Sequence, residues 1–340
     1  MTPTMRDVAE RAGVSIKTVS NVINDYPFVR TETRDRVMTA ITELNYQVNV
    51  AARNLRRGAS GVIGLALPEL SLPYFAELAD AIMDVGLAAG LTVVIERTRG
   101  DRDGELDALL GPRRRSTDGL LYSPLALGPD DEHLLPADSP LVLLGERVFS
   151  DRFDHVTMQN VEAGRAATTY LLSLGCRRIA AIGVHPEEQV GSAALRLEGY
   201  RQALQAAGIR DDPGLYGEAQ LWHRSTGATA MAAVLDRGAV PDAIFAFNDT
   251  LALGAMHELQ VRGYVIPRDI LVLGFDDVEE ARYSAPTMTS VNPGREFIAQ
   301  TAVRLLLKRM SDRSGGQPAE LIKSPFRIVE RDSTTRGGHG

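Results

Sequence analysis

One cysteine among 340 residues, Cys176, leaves no internal disulfide to form and fits a cytoplasmic chain. The longest apolar runs, Val62–Leu67 and Ile270–Phe275, fall far short of the roughly 20 residues that span a bilayer. No membrane contact is expected. The opening MTPTMRDVAE lacks a basic segment followed by an apolar one, so no secretory signal is expected either. G-x-G-x-x-G, G-x-x-x-x-G-K-[ST] and G-x-S-x-G are all missing. The six histidines, at 133, 155, 185, 223, 257 and 339, have no metal-ligand spacing, and Cys176 has no partner thiol. These absences argue against an enzyme and predict neither cofactor nor metal, although fold alone never excludes catalysis.

What is present is uneven. The net charge is −7, yet residues 1–60 hold nine Lys/Arg against six Asp/Glu, and the remaining 280 hold 28 against 38. A basic head on an acidic body suits nucleic acid bound at one end; a merely solvated surface would look the same. From Val62 onward short apolar runs alternate with helical patterns of 12–16 residues. The strand candidates are 62–67, 91–96, 119–122, 140–144, 178–183, 243–247 and 270–275. Helices are expected over 74–89, 161–174, 193–207, 226–237, 250–262 and 294–310. This alternation predicts two parallel sheets with helices on both faces, the chain leaving the first near Gln159–Val161 and crossing back over 294–310.

Residues 5–24, MRDVAERAGVSIKTVSNVIN, read differently. Thr4 suits an N-cap with Asp7 as its capping-box partner, and Val8, Ala9 and Ala12 share one face. Gly13 suits the left-handed residue that ends a helix, and Ser15 caps the next, whose Val19, Val22 and Ile23 turn to the same core. Two short helices joined by a glycine-containing turn are the signature of helix-turn-helix. The second helix then offers Ile16, Lys17, Ser20 and Asn21 outward, near its electropositive end. Two helices of a small bundle with a solvated face would share this pattern. A third helix is expected over 31–44. After it, AARNLRRG holds only Val50 and Leu55 as apolar anchors and is expected to be helical only with help.

RDVAERAGVSIKTVSNVIN, ETRDRVMTAITELNY and NVAARNLRRG occur in order and resemble the lactose-repressor (LacI/GalR) family of bacterial transcription regulators. The similarity continues through RRIAAIG, RLEGYRQAL, AIFAFNDTLALGAMHELQVRG, DILVLGFDDVEEARYSAPTMTSV and AVRLLLKRM. The resemblance implies an α/β chain with a three-helix headpiece (1–47), a hinge helix (48–60) and a periplasmic-binding-protein-like core (61–330) of two Rossmann-like subdomains. The first is expected at about 61–160 and 292–321, the second at 161–291 and 322–330, with 331–340 a disordered tail. It further implies that Ile16, Lys17 and Asn21 meet base edges and that Ser15 and Thr18 hold phosphates, with Thr4 and Ser20 on the same DNA-facing surface. Leu55 becomes an apolar wedge in the minor groove, flanked by Arg53 and Arg56, or else packs against the body. Arg30 stands where the family usually has a capping serine, so Thr31 is expected to cap one position later or the helix end to fray.

The same resemblance puts effector-binding positions on Tyr74, Phe75, Arg196, Trp222, Asn248 and Asp276. Gln159-Asn160 replaces the usual Asp-Asn pair, which makes Gln159 a further candidate. Aromatics beside Arg, Asn and Asp suit a sugar or sugar derivative. Quieter readings stand beside these: core aromatics for Tyr74 and Phe75, a helix cap for Asn248, a solvated acidic turn for Asp276. The expected partners are a near-palindromic DNA operator, a small-molecule effector and a second copy of the chain. With no leucine heptad after Met310, a tetramerising tail is not expected. The rivals are a transport-type sugar-binding protein and an enzyme on a doubly wound fold.

Overall fold

A computed structural model describes residues 3–23, 26–44, 46, 60–312 and 317–335. The chain divides into two units, Met1–Ser60 and Gly61–Gly340.

In the first unit, helix α1 (Met5–Ala12) opens on the expected capping box. The Thr4 backbone N–H donates to Asp7 Oδ2 at 2.7 Å and the Asp7 N–H donates to Thr4 Oγ1 at 3.4 Å. The Thr4 backbone N–H, and with it the Thr4 hydroxyl donating to the same Oδ2 at 2.8 Å, hold the Asp7 carboxyl below its ordinary pKa. The helix ends at Gly13, whose φ of 66° a side chain would strain. Helix α2 (Ile16–Ile23) follows at once, with Ser15 Oγ accepting the Thr18 N–H at 3.1 Å. Val8, Ala9, Ala12, Val19 and Val22 bury against Val37 and Ala40 of α3 (Thr31–Glu43). The expectation for the start of α3 is corrected: Thr31 is already helical, and Arg30 occupies the cap position without a side-chain cap. A guanidinium has no acceptor for the free N–H groups of a helix start. The expected hinge, with Arg53, Leu55 and Arg56, lies outside the described residues.

The second unit is built on two six-stranded sheets. The first runs β11-β5-β4-β3-β1-β2, all parallel, from β1 (Val62–Leu67), β2 (Thr92–Arg97), β3 (Gly119–Tyr122), β4 (Leu141–Leu144), β5 (Asp154–Met158) and β11 (Leu321–Ser324). Helix α4 (Pro73–Ala88) and helix α11 (Arg295–Ser311) cover one face, and α5 (Arg102–Leu110) covers the other. The second sheet runs β12-β10-β9-β8-β6-β7, from β6 (Ile179–Val184), β7 (Tyr216–Glu218), β8 (Ala243–Ala246), β9 (Leu271–Phe275), β10 (Thr289–Asn292) and an antiparallel edge, β12 (Arg327–Val329). Helices α6 (Asn160–Ser173), α7 (Ser192–Ala206), α8 (Arg224–Asp236) and α9 (Asp249–Val261) cover it, and the short α10 (Glu279–Tyr283) follows β9.

The chain passes between the sheets three times: at Gln159, between Asn292 and Arg295, and between Ser324 and Arg327. The third passage falls later than the sequence suggests, because β11 pairs residue by residue with β5 from Leu321 to Ser324. The expectation of a disordered tail is corrected for residues 331–335. Residues Asp332–Thr334 form a 3-10 turn with Ser333 and Thr334 buried. Ser333 Oγ donates to the Val272 carbonyl at 2.6 Å and accepts the Thr289 N–H at 2.8 Å, so the turn is sewn to the second sheet.

Two glycines let α6 and α7 meet backbone to backbone. A Cβ at Gly199 would lie 2.1 Å from the Val161 carbonyl oxygen, and one at Gly164 would lie 2.6 Å from that of Arg196. Neither obstacle is a flexible side chain, so the helices would have to part. Gly199→Ala is expected to destabilise the protein by about 1–3 kcal/mol, the usual range for overpacking, measured as a lower urea midpoint; an unchanged midpoint would contradict this packing.

Candidate functional site

On the headpiece, α2 turns Val19 and Val22 inward. Thr4, Ser15, Ile16 and Lys17 are exposed, while Thr18, Ser20 and Asn21 are half-buried along the same helix. Ile16 is an aliphatic side chain left 42 % exposed at a helix start. No acidic residue lies in the first turn of α2, so its electropositive end stays open to an anion. The Ser15 and Thr18 hydroxyls lie 2.9 Å apart, at that end.

In the core, parallel strands end in loops that converge on one cavity of ≈ 170 Å³. Ser123, Gly145 and Met158 come from strand ends of the first sheet, and His185, Asn248 and Asp276 from strand ends of the second. A crevice outside the carboxyl ends of strands is where open α/β sheets take ligands. Of the expected effector residues, Tyr74, Phe75, Arg196, Trp222, Asn248 and Asp276 all line this cavity. Gln159 does not: its Nε2 donates to the Ser324 carbonyl at 2.9 Å, tying two of the passages together. Met158 faces the cavity in its place.

Arg196 is the centre of the second-sheet wall, 3 % exposed. Its Nε donates to Asn160 Oδ1 at 2.8 Å, one Nη donates to the Phe247 carbonyl, and its guanidinium lies 3.5 Å from the centroid of the Phe275 ring. Trp222 sits on the same cation at 5.3 Å. Burial pulls the Arg196 pKa down, opposed by Asp276 and Glu146. Asp276 carries the converse stress. Burial pushes its pKa up to about 7, against the pull of Arg196 and Arg295. Its carboxylate accepts no hydrogen bond among the described residues, so its lone pairs are open to a ligand. Burial, then Asp276 and Glu146, push the Tyr74 phenol up, so it is a neutral donor.

Asn248 is partly consumed by structure. Its Oδ1 caps α9 by accepting the Leu251 N–H at 2.7 Å, and its Nδ2 donates to the Trp222 carbonyl at 3.3 Å. The solvated reading of the acidic turn fails for Asp276 and Asp277, which are both buried. Their φ values, 113° and 51°, are left-handed in both cases, a strain of about 1–3 kcal/mol each that persists only where the surroundings enforce it.

Sequence reasoning missed a set of polar groups that bridge the two walls. Ser192 Oγ donates to Glu146 Oε2 at 2.8 Å. Arg147 Nη1 donates to the Val190 carbonyl at 2.8 Å and lies 3.3 Å from Glu188. His223 Nε2 is 3.5 Å from Glu69. Glu105 was also missed. Buried on α5, its carboxylate accepts the Tyr122 hydroxyl and the N–H groups of Leu125, Ala126 and Leu127, all within 2.8 Å, and so fixes the loop behind Ser123. In sequence Glu69, Glu105, Glu146, Arg147, Glu188 and Ser192 carry no signal of their own beyond the GER at 145–147 directly after a strand, whereas His223, next to Trp222, reads as a surface histidine or a ligand contact and is half-buried here.

Among the described residues no group of His, Cys, Asp and Glu is arranged to hold a metal ion, and no helix is long and apolar enough to cross a membrane.

Residues 4–49 match the family of bacterial regulatory proteins known as the lacI family, and residues 168–334 match a periplasmic binding protein-like domain. The chain is 32 % identical over 332 residues to the HTH-type transcriptional repressor PurR of Vibrio atlanticus strain LGP32, covering 97 % of this chain and 98 % of that one. Among solved structures it is similar to the Lac repressor dimer bound to operator and the anti-inducer ONPF (TM-score 0.80, 28 % identity, 99 % of this chain and 100 % of that one). It is also similar to the complex of the transcriptional regulator CelR with cellobiose (TM-score 0.71, 30 % identity, 97 % and 99 %). The helix-turn-helix unit, the two-sheet core with its cavity and these whole-length similarities agree: the chain belongs to the lacI family of bacterial regulatory proteins and is a DNA-binding transcriptional repressor with an effector-binding domain.

Proposed function

We propose that the chain works in the cytoplasm as a homodimer on a near-palindromic operator, and that a sugar or sugar derivative held in the core cavity controls its grip on DNA. The observation that carries the effector reading is the buried Arg196–Asp276 wall, with open acceptors on Asp276 beside the Trp222 and Tyr74 rings. Aromatic faces suit apolar C–H surfaces, and fixed donors and acceptors suit hydroxyls. Glu69, Glu146, Glu188 and Asp276 outnumber Arg147 and Arg196 in the lining, which favours an uncharged polyhydroxy ligand over a phosphorylated or carboxylated one. The cellobiose complex of CelR is consistent with that class. The cavity is read as a binding site, with no catalytic residue assigned.

Two headpieces related by a two-fold axis meet identical half-sites, hence the near-palindrome. In this reading Ile16, Lys17 and Asn21 read bases. Ser15 and Thr18, with Thr4 and Ser20 nearby, hold the backbone. Leu55 wedges the central step between Arg53 and Arg56. An effector that prefers one arrangement of the two sheets shifts the population of DNA-competent dimers by its differential affinity.

Trp222 reports on this reading directly. Titrating the protein with neutral mono- and disaccharides should give a saturable change in its emission for at least one compound. Arg196→Ala should abolish that response while operator affinity stays within about twofold; a normal response in the variant would remove the cavity from consideration.

Leu55→Ala should weaken operator binding by about tenfold or more, equivalent to roughly 1.4 kcal/mol, with effector affinity unchanged. Equal operator binding by variant and parent would refute the wedge.

The Asp276 carboxyl also sets a pH signature. Its pKa rises from 3.8 unfolded to about 7 folded, so the native state retains a proton that the unfolded chain has lost. This contribution to stability is fully present at low pH and declines as pH rises between those values. The melting temperature of Asp276→Asn should therefore gain on that of the parent between about pH 4 and pH 7; a constant difference would show an ordinary carboxyl.

A further inference from the structure

The turn that aims Asp276 at the cavity is held from behind. The Asp276 N–H donates to the Val291 carbonyl at 2.8 Å and the Asp277 N–H donates to Ser290 Oγ at 3.0 Å. The Asp277 carboxylate faces away from the cavity, taking Asn292 Nδ2 at 2.9 Å on one oxygen and Arg331 Nη2 at 2.5 Å on the other. Arg331 is itself fixed. Its side chain is 12 % exposed, its Nη1 donates to the Met288 carbonyl at 2.7 Å, and its backbone N–H donates to Thr289 Oγ1 at 2.8 Å. Ser333 and Thr334, buried just after it, anchor the segment.

We infer that Arg331 is a positioning residue for the ligand cavity: by clamping Asp277 it enforces the left-handed Asp276-Asp277 turn and so keeps the Asp276 carboxylate buried and pointed at the ligand. Two consecutive non-glycine residues at positive φ need such enforcement. Arg331 is the one cation paired with Asp277 among the described residues. The Asn292 bond joins the clamp to the second passage between the sheets, and Arg295, just beyond that passage, donates to the Asp276 carbonyl at 3.4 Å and pairs with Glu77 on α4 at 2.7 Å. The segment after β12 thus acts on the cavity without touching it. The importance of Asp276 to a ligand rests on the proposed effector site; the clamp itself does not.

The test is the titration of Asp276 in the full-length protein carrying [13Cγ]aspartate, its resonance identified by its loss in Asp276→Asn. The charged and titratable groups around it are Arg196 on α7, Arg295 on α11, Glu77 and Tyr74 on α4, Asp249 on α9 and Glu146 after β4. All of them remain in the variants. Arg331→Met should lower the Asp276 midpoint by one pH unit or more, because the released turn lets the carboxyl reach water. Loss of a nearby positive charge alone would raise it, and a purely structural role would lower the melting temperature while leaving it in place. Arg331→Lys should restore most of the parent midpoint. A midpoint that stays or rises in Arg331→Met overturns the inference. If that variant does not fold, Arg331→Gln, which keeps an N–H donor for Met288 but removes the cation paired with Asp277, must lower the midpoint in the same direction or the inference fails. Failure of all sugars to bind would instead count against the effector site and leave this result standing.

Discussion

Arg196 is a full positive charge removed from water inside a protein, and much of the core is arranged around making that tolerable. A buried cation with an unmet donor carries a penalty of several kcal/mol. Here Asn160 from the start of α6, the Phe247 carbonyl from the end of β8 and the Phe275 ring at the end of β9 surround it. Three elements are thereby fixed relative to α7, and the glycines at 164 and 199 let α6 and α7 approach closely enough for Asn160 to reach. The guanidinium is pinned by oxygen acceptors on its structural side, while on the cavity side its second Nη meets only the weakly accepting Met158 sulfur at 3.5 Å. That asymmetry makes it fit to recognise a ligand.

The neighbouring acid obeys the same economy of charge. Asp276 has two cations in range, yet burial still outweighs them and raises its pKa. A carboxyl in that condition responds to a small change in its surroundings, including the arrival of hydroxyl groups or a shift of one sheet against the other. Glu77, Glu146 and Arg147 reach from the first-sheet half to partners on the second, so the relative position of the halves and the electrostatics of the cavity are one problem.

The sequence revealed elements wherever burial was unpaired and apolar. Strands β1, β3, β4, β8 and β9 are buried almost throughout and stand out as short runs without a charged residue, rich in Val, Ile, Leu, Ala and Phe. Strand β5 hid, because DHVTM begins with an aspartate and a histidine. Asp154 is nonetheless fully buried, gripped by Arg309 on α11 at 2.7 and 2.9 Å, a partner 155 residues away. Helix α5 was masked in the same way by its buried Glu105, and the turn at Asp332–Thr334 by its hydroxyls, where Ser333 is buried with the Val272 carbonyl of β9 and the Thr289 N–H of β10 as its partners.

Local chemistry therefore determined the headpiece, the alternating body and the residue types that recur in the family. The capping box at Thr4, the glycine turn at Gly13 and the inward face of α2 each depend on neighbours within a few residues, so the chain alone declares them. Tertiary structure decided which polar groups became buried partners and which stayed open to a ligand. It turned Gln159 toward Ser324, committed Asn248 mostly to a helix cap, and brought Arg331 behind Asp277. Those outcomes depend on groups up to 165 residues apart meeting at a few ångströms. No sequence period encodes such a distance; the desolvation cost of each buried charge enforces it once the fold has closed.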